Sequence, residues 1–145
     1  VRVFFDTSVI VAASVADHPH HSRAWPALQR VAMGKDQGFV GAHSIAETYA
    51  ALTRVPVVPR IHPSEAGRIV RDNVLRICSV VPADAAQYLE ALATVQEKGL
   101  PGAKIYDALL LACAARSGAE RVYTFNLGDF RELASVDMQA RIAAP

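Results

Sequence analysis

Residues 2–6, Arg2-Val3-Phe4-Phe5-Asp6, open the chain with a short, almost wholly apolar run that ends on a carboxylate. A half-exposed strand would alternate apolar and polar residues, so this unbroken run predicts a strand buried on both faces of a parallel sheet. Thr7-Ser8 could cap a helix, and Val9–Val15 is apolar at helix-compatible spacing until Asp17-His18-Pro19 interrupts it. The alternation then repeats. A helix is expected over residues 20–33, stopped by Gly34, and a strand over Phe39–Ala42. A helix with Ile45, Tyr49 and Leu52 on one face follows. Pro56–Pro63 holds three prolines and reads as a connector, after which residues 64–76 restart as a helix with Ser64 as a possible cap. Ile77–Val81 is a strand, and residues 84–98 are a helix ended by Gly99. An apolar helix carrying Asp107 near its start runs to Gly118, and Val122–Phe125 is a fourth strand. Val136 and Met138 are expected to lie in a short last strand. Strands alternating with helices imply right-handed crossovers and an α/β fold, with helices covering a parallel sheet.

The 145 residues suit one domain over residues 1–145 with one core, and 52% hydrophobic against 20% charged residues is the balance of a folded protein. No apolar run approaches the roughly 20 residues of a membrane span, and the first residues lack the pattern of a secretory signal. Cys78 and Cys113 each sit in an apolar segment without disulfide or zinc-site spacing, as core thiols in a reducing cytoplasm would. The net charge of +1 gives little whole-molecule attraction for nucleic acid. Locally, Arg54, Arg60, Arg68, Arg71 and Arg76 face only Glu65 and Asp72, which suits either a phosphate-facing patch or a solvated helix face.

In an open parallel sheet, ligands bind beyond the carboxyl ends of the strands, where strand order reverses. Asp6 ends the first strand, Glu47 lies just after the second, and Asp129 is in the loop after the fourth. Asp107 reaches the same edge if a long helical hairpin separates strands three and four. Such carboxylates repel one another and call for a compensating cation. With neither histidine nor cysteine accompanying them, the donors are all hard oxygen, which favours Mg2+ or Mn2+ over zinc. The chemistry that follows is metal-assisted phosphodiester hydrolysis.

Four blocks carry a resemblance. Val3-Phe4-Phe5-Asp6-Thr7-Ser8-Val9-Ile10, Ala46-Glu47-Thr48-Tyr49-Ala50-Ala51-Leu52, Tyr106-Asp107-Ala108-Leu109-Leu110-Leu111-Ala112 and Tyr123-Thr124-Phe125-Asn126-Leu127-Gly128-Asp129-Phe130 resemble, in order, the signature blocks of PIN domains, especially the VapC-type toxins. The resemblance implies a three-layer α/β/α sandwich around a central parallel sheet of four to five strands. It implies an Mg2+- or Mn2+-dependent endoribonuclease, the toxin of a type II toxin–antitoxin pair, that dimerises and is blocked by a small VapB-like antitoxin. Asp6 and Asp107 match the two aspartates that most directly hold metal, Glu47 the third acid, and Asp129 the fourth and more variable one. Thr7 or Ser8 matches the hydroxyl beside the first aspartate, and Thr124 and Asn126 match polar residues lining the pocket. Some relatives carry an aspartate at the position of Asn126.

Each residue also has an ordinary reading. Asp6, Thr7 and Ser8 could be turn or cap residues, Glu47 a first-turn acid favoured by the helix dipole, and Asp129 the cap of a short helix over residues 130–134. Asn126 suits a turn. Asp107 is harder to explain away, because an unpartnered carboxylate entering a buried apolar helix would cost several kcal/mol. His18, His20 and His21 lack matching ligands at any metal-site spacing and read as a solvated loop, and Trp25 and Tyr49 read as core or interface. A receiver-type phosphoacceptor would need an aspartate where the third strand ends in Val80-Val81-Pro82-Ala83. A haloacid-dehalogenase-type phosphatase would need one at Ser8. The rival that stands is a catalytically inactive PIN-like module that binds RNA or protein, and the full acid set argues against it, since acids repel phosphate.

Overall fold

The computed structural model describes residues 1–145. Its strands are β1 (Arg2–Phe5), β2 (Gln37–Gly41), β3 (Cys78–Val81), β4 (Arg121–Tyr123) and β5 (Ile142–Ala143), all parallel, in the order β3-β2-β1-β4-β5. The apolar opening run is therefore the middle strand. Val3 and Phe5 enter one core layer with Val40 and the helices α1 (Thr7–Ser14) and α2 (His21–Ala32). Phe4 enters the other with Val122, Ile142 and α6 (Lys104–Ser117). Burial on both faces is what its lack of alternation predicts.

Successive strands step outward from β1 to β2 to β3, and the chain then crosses back to lay β4 on the opposite side of β1. The reversal falls between β1 and β4, so a crevice is expected beyond the ends of Phe5 and Tyr123. The crossing is made by a hairpin of α5 (Ala85–Lys98) and α6. A capping box starts α5: the Asp84 carboxylate accepts from the Ala86 N–H, and the Gln87 side chain accepts from the Asp84 N–H. Gly99, at φ 65°, ends it in the left-handed conformation that glycine adopts without strain. Every residue from Ala108 to Ala114 in α6 is buried. Burial of Leu109 and Leu110 contributes roughly 1.5–3 kcal/mol each. Gly41 lets this helix lie close on β2, since a Cβ there would come within 2.8 Å of Leu110 Cδ2. The start of α6, with Asp107, is thereby held at the carboxyl edge of the sheet.

Several boundaries differ from the sequence expectation. The last strand is not at Val136 and Met138: those residues form α8 (Val136–Gln139), and β5 follows at Ile142–Ala143. Met138 is buried as a helical residue, and a two-residue strand is too short to show a period of its own. The helix after the prolines is capped by His62, whose side chain accepts from the Ser64 N–H, and Pro63 occupies its first turn; Ser64 is not the cap. It runs as α4 (Pro63–Ile69) into a π-helical segment, Val70–Leu75. The second strand ends at Gly41, and α3 (Ala42–Arg54) begins at once. Thr124 and Phe125 lie beyond β4, and α7 (Leu127–Leu133) begins three residues earlier than a helix capped by Asp129 would. Cys78 and Cys113 are buried free thiols, Cys78 pushed up to about 12 by burial.

Candidate active site

Asp6 leaves β1 buried and in extended conformation, at the position where a side chain would cap α1, yet it makes no cap hydrogen bond. Its Oδ2 instead accepts from two hydroxyls, Ser8 Oγ at 2.5 Å and Thr124 Oγ1 at 2.8 Å. No protein donor reaches Oδ1. Each hydroxyl also accepts from the loop after β4: Ser8 from the Phe125 N–H at 3.2 Å, Thr124 from the Asn126 N–H at 2.9 Å. One buried carboxylate thus joins the ends of β1 and β4 through side chains that do not act as helix caps.

Glu47 lies beyond the first turn of α3, so the helix dipole does not account for it. Its Oε1 accepts from Thr7 Oγ1 at 3.1 Å, beside Ser44, which is buried and lies 3.1 Å from the same hydroxyl. His43 Nε2 stands 3.7 Å away from Glu47.

Asn126 heads α7 without capping it. Its amide donates to Asp107 Oδ2 at 3.3 Å and to Asp129 Oδ2 at 2.9 Å. Asp129 is in the first turn of α7, and its Oδ1 accepts from Lys104 Nζ at 3.3 Å; Lys104 also donates to Glu132 at 2.8 Å. The Asn126 amide, and then Lys104, hold the Asp129 carboxyl below the usual range. Asp107 shares the Asn126 amide but has no ion pair of its own. Burial first, then the charges of Asp6, Asp129 and Glu47, push its carboxyl up to about 7, with Lys104 opposing.

All four predicted acids, with Thr7, Ser8, Thr124 and Asn126, therefore meet at the crevice between β1 and β4. Ser44, Lys104 and Glu132 were not anticipated from sequence. The signal for two of them was present, since Ser44 precedes Glu47, and Lys104 precedes Asp107, by three residues and so shares a helix face with it. His18, His20 and His21 contribute nothing to the acid cluster, and His20 stacks on Phe125.

No three acidic, histidine or cysteine side chains stand close enough together to hold a metal ion as they are placed. The donor set nonetheless fits a hard divalent cation. Its acids offer only oxygen from four elements, with the His43 nitrogen 3.7 Å from Glu47 the one softer donor nearby, and the Asp107 carboxyl is pushed up first by burial and then by three neighbouring acids.

Residues 3–136 match the PIN domain family model. The ribonuclease VapC40 of Mycobacterium tuberculosis is 32% identical over 115 residues, covering 79% of this chain and 80% of its own. The crystal structure of Mycobacterium tuberculosis VapC20, a sarcin-ricin loop cleaving toxin, is similar at a TM-score of 0.72 and 22% identity, over 99% of both chains. That of VapBC2 from Rickettsia felis, bound to a DNA fragment from their promoter, is similar at 0.62 and 18% identity, covering 88% of this chain and 89% of that one. With that match spanning nearly the whole sequence and the acids gathered at the strand-order reversal, the chain belongs to the PIN-domain family and is of the VapC type.

Proposed function

We propose that this chain is the toxin of a VapBC-type toxin–antitoxin pair, an endoribonuclease that hydrolyses RNA phosphodiester bonds with Mg2+ or Mn2+. The observation that carries the reading is the convergence of Asp6, Glu47, Asp107 and Asp129 from four separate elements onto one sheet edge, held by hydroxyls and an amide and not by helix caps. A ribonuclease 32% identical over most of the chain supports RNA as the substrate.

Asp6 and Asp107 are the residues that would hold the cation most directly, with Glu47 and Asp129 completing its surroundings. When bound, the ion supplies charge to a phosphate oxygen and lowers the pKa of water. The remaining work falls to the chain. Thr124 and Ser8 hold the Asp6 carboxylate by Oδ2 and leave Oδ1 without a protein donor. Thr7 orients Glu47, and Asn126 sets the spacing between Asp107 and Asp129. Lys104 is the one ammonium among these acids, and it can offer positive charge to a phosphate that would otherwise be repelled.

A cognate VapB-like antitoxin and a second copy of the chain are the proposed protein partners, residues 1–145 forming a single PIN domain in the cytoplasm. No helix is long and apolar enough to cross a membrane. An apolar groove of about 640 Å3 between α3 and the stretch formed by α4 and the π-helical segment, lined by Ile45, Tyr49, Val70, Arg71 and Leu75, gives such a partner a surface. Substitutions there that leave assembly unchanged would remove that part of the reading.

The test of the activity is cleavage of a mixed cellular RNA pool by the purified chain with Mg2+, with Mn2+ and with chelator, beside Asp6→Asn and Asp107→Asn. Discrete metal-dependent cuts absent from both variants are expected. A folded, metal-loaded sample that leaves RNA intact would make the chain a binding module.

A further inference from the structure

We propose that His43 and Tyr106 form a nucleobase-stacking subsite at the mouth of the acid cluster, which holds a base of single-stranded RNA beside the bond to be cut. The proposal rests on the ribonuclease reading above and concerns what grips the substrate next to that chemistry.

The two rings lie 5.0 Å apart, centroid to centroid, and within 13° of parallel. Each is tied to an acid. His43 is in the first turn of α3, four residues before Glu47 and 3.7 Å from it, and Tyr106 immediately precedes Asp107 on α6. The stack thus spans the two helices that bring Glu47 and Asp107 to the site. A ring placed only as a brace between helices would be expected to be buried. Tyr106 is 46% exposed with one face already against the imidazole, while the seven residues from Ala108 onward in the same helix are all buried. Tyr106 therefore keeps much of its surface open to solvent, one residue from a carboxylate that would hold the metal.

Single-stranded RNA is recognised largely by unstacked bases laid on aromatic rings, histidine included. The acids themselves repel the phosphate backbone, and the chain's net charge is only +1, so binding by long-range charge is weak here. Stacking supplies an attraction that those acids do not oppose. The other aromatic candidates are less well placed. Phe125 is stacked on His20 at 4.4 Å and lies under the Arg23 guanidinium. Tyr49 lines the groove between α3 and α4, and Trp25 pairs with His21 on α2, which contributes no acid.

The experiment uses a short single-stranded RNA containing one site cut in the pool, and versions with an abasic nucleotide on either side of that bond. Steady-state kinetics with Mg2+ are measured for the wild type, Tyr106→Ala, Tyr106→Phe and His43→Ala, with a thermal midpoint for each. Tyr106→Ala is expected to raise KM roughly 5- to 100-fold on the intact RNA, from the usual strength of base–aromatic stacking, with a smaller change in kcat. Tyr106→Phe should restore it. On one of the abasic RNAs the wild type should fall to the level of Tyr106→Ala, and the variant should lose nothing further. An equal penalty on intact and both abasic RNAs would overturn the proposal and leave the stack as a brace, as would an unchanged KM. If the wild type cuts no RNA at all, the ribonuclease reading falls and a 2-aminopurine-labelled single-stranded RNA decides the stacking. Quenching by wild type that Tyr106→Ala lacks supports the subsite, and equal quenching by both overturns it.

Discussion

The Thr124 hydroxyl donates a 2.8 Å hydrogen bond to Oδ2 of Asp6, joining the loop after β4 to the end of β1 across 118 positions of sequence. Both side chains are buried, and the same hydroxyl accepts from the Asn126 N–H. Thr124→Val keeps the volume but removes a donor from a buried carboxylate and an acceptor from that N–H. The expected cost is about 1–3 kcal/mol in denaturant unfolding, with RNA cleavage reduced at least 10-fold as Asp6 and Asn126 lose their common anchor. Thr124→Ser should recover most of both, and a wild-type cleavage rate for the valine variant would show that the hydroxyl is dispensable.

Asp107 makes the metal-free protein pH-sensitive in an unusual direction. Its folded-state carboxyl is raised from 3.8 to about 7, so between those values the native state binds a proton that the unfolded chain releases. This contribution is fully present below about pH 4 and is lost as pH rises through 7. Allowing for solvent screening of a half-exposed carboxyl, the loss is on the order of 1–2 kcal/mol. Urea unfolding in chelator at pH 5 and pH 8 should show it, and Asp107→Asn should flatten the difference. Equal slopes for the variant and the wild type would place the dependence elsewhere.

Lys104 is paired with Asp129 and Glu132 at the rim of the same site. Removing its charge with Lys104→Met leaves the acids less compensated, so the Mg2+ concentration giving half-maximal cleavage should fall while KM for RNA rises. The melting temperature should stay close to wild type, because exposed ion pairs contribute little to stability. A higher Mg2+ requirement would mean that Lys104 organises the acids more than it competes with the cation.

Thr48 has a buried hydroxyl without a hydrogen-bond partner, one residue along α3 from Glu47. Thr48→Val has nearly the same shape and removes the orphaned group, so it should stabilise by about 1 kcal/mol. That is roughly 2–4 °C in thermal midpoint for a chain of this size. A destabilised valine variant would indicate that the hydroxyl is hydrogen-bonded in solution.

The main lines of the fold were legible from local pattern. The apolar run at residues 3–5 and the mostly apolar one at 77–81, alternating with helix-period segments closed by Gly34, Gly99 and Gly118, are enough to assign a helix-covered parallel sheet. Periodicity and capping act over a few residues, which is why they can be read without a structure. The final strand was misplaced because Ile142–Ala143 is two residues long, and its stability comes from pairing with Val122 and Tyr123. Asp6, Asp107 and Asp129 are legible as candidates because each stands at or near the start of an element, and the ordered resemblance of four blocks to PIN domains adds Glu47, which lies deeper in its helix.

By itself the sequence determined the α/β class, the alternation that buries β1, and the four carboxylates with their neighbouring hydroxyls. Only the tertiary structure decided which hydroxyl holds which acid, that Asn126 bridges Asp107 and Asp129, that Lys104 sits among them, and that His43 stacks on Tyr106. Apart from Ser8 on Asp6 and Asn126 on Asp129, those contacts join residues 19 to 118 positions apart. No periodicity encodes them, because they depend on how the strand order reverses and how the α5–α6 hairpin folds back onto the sheet.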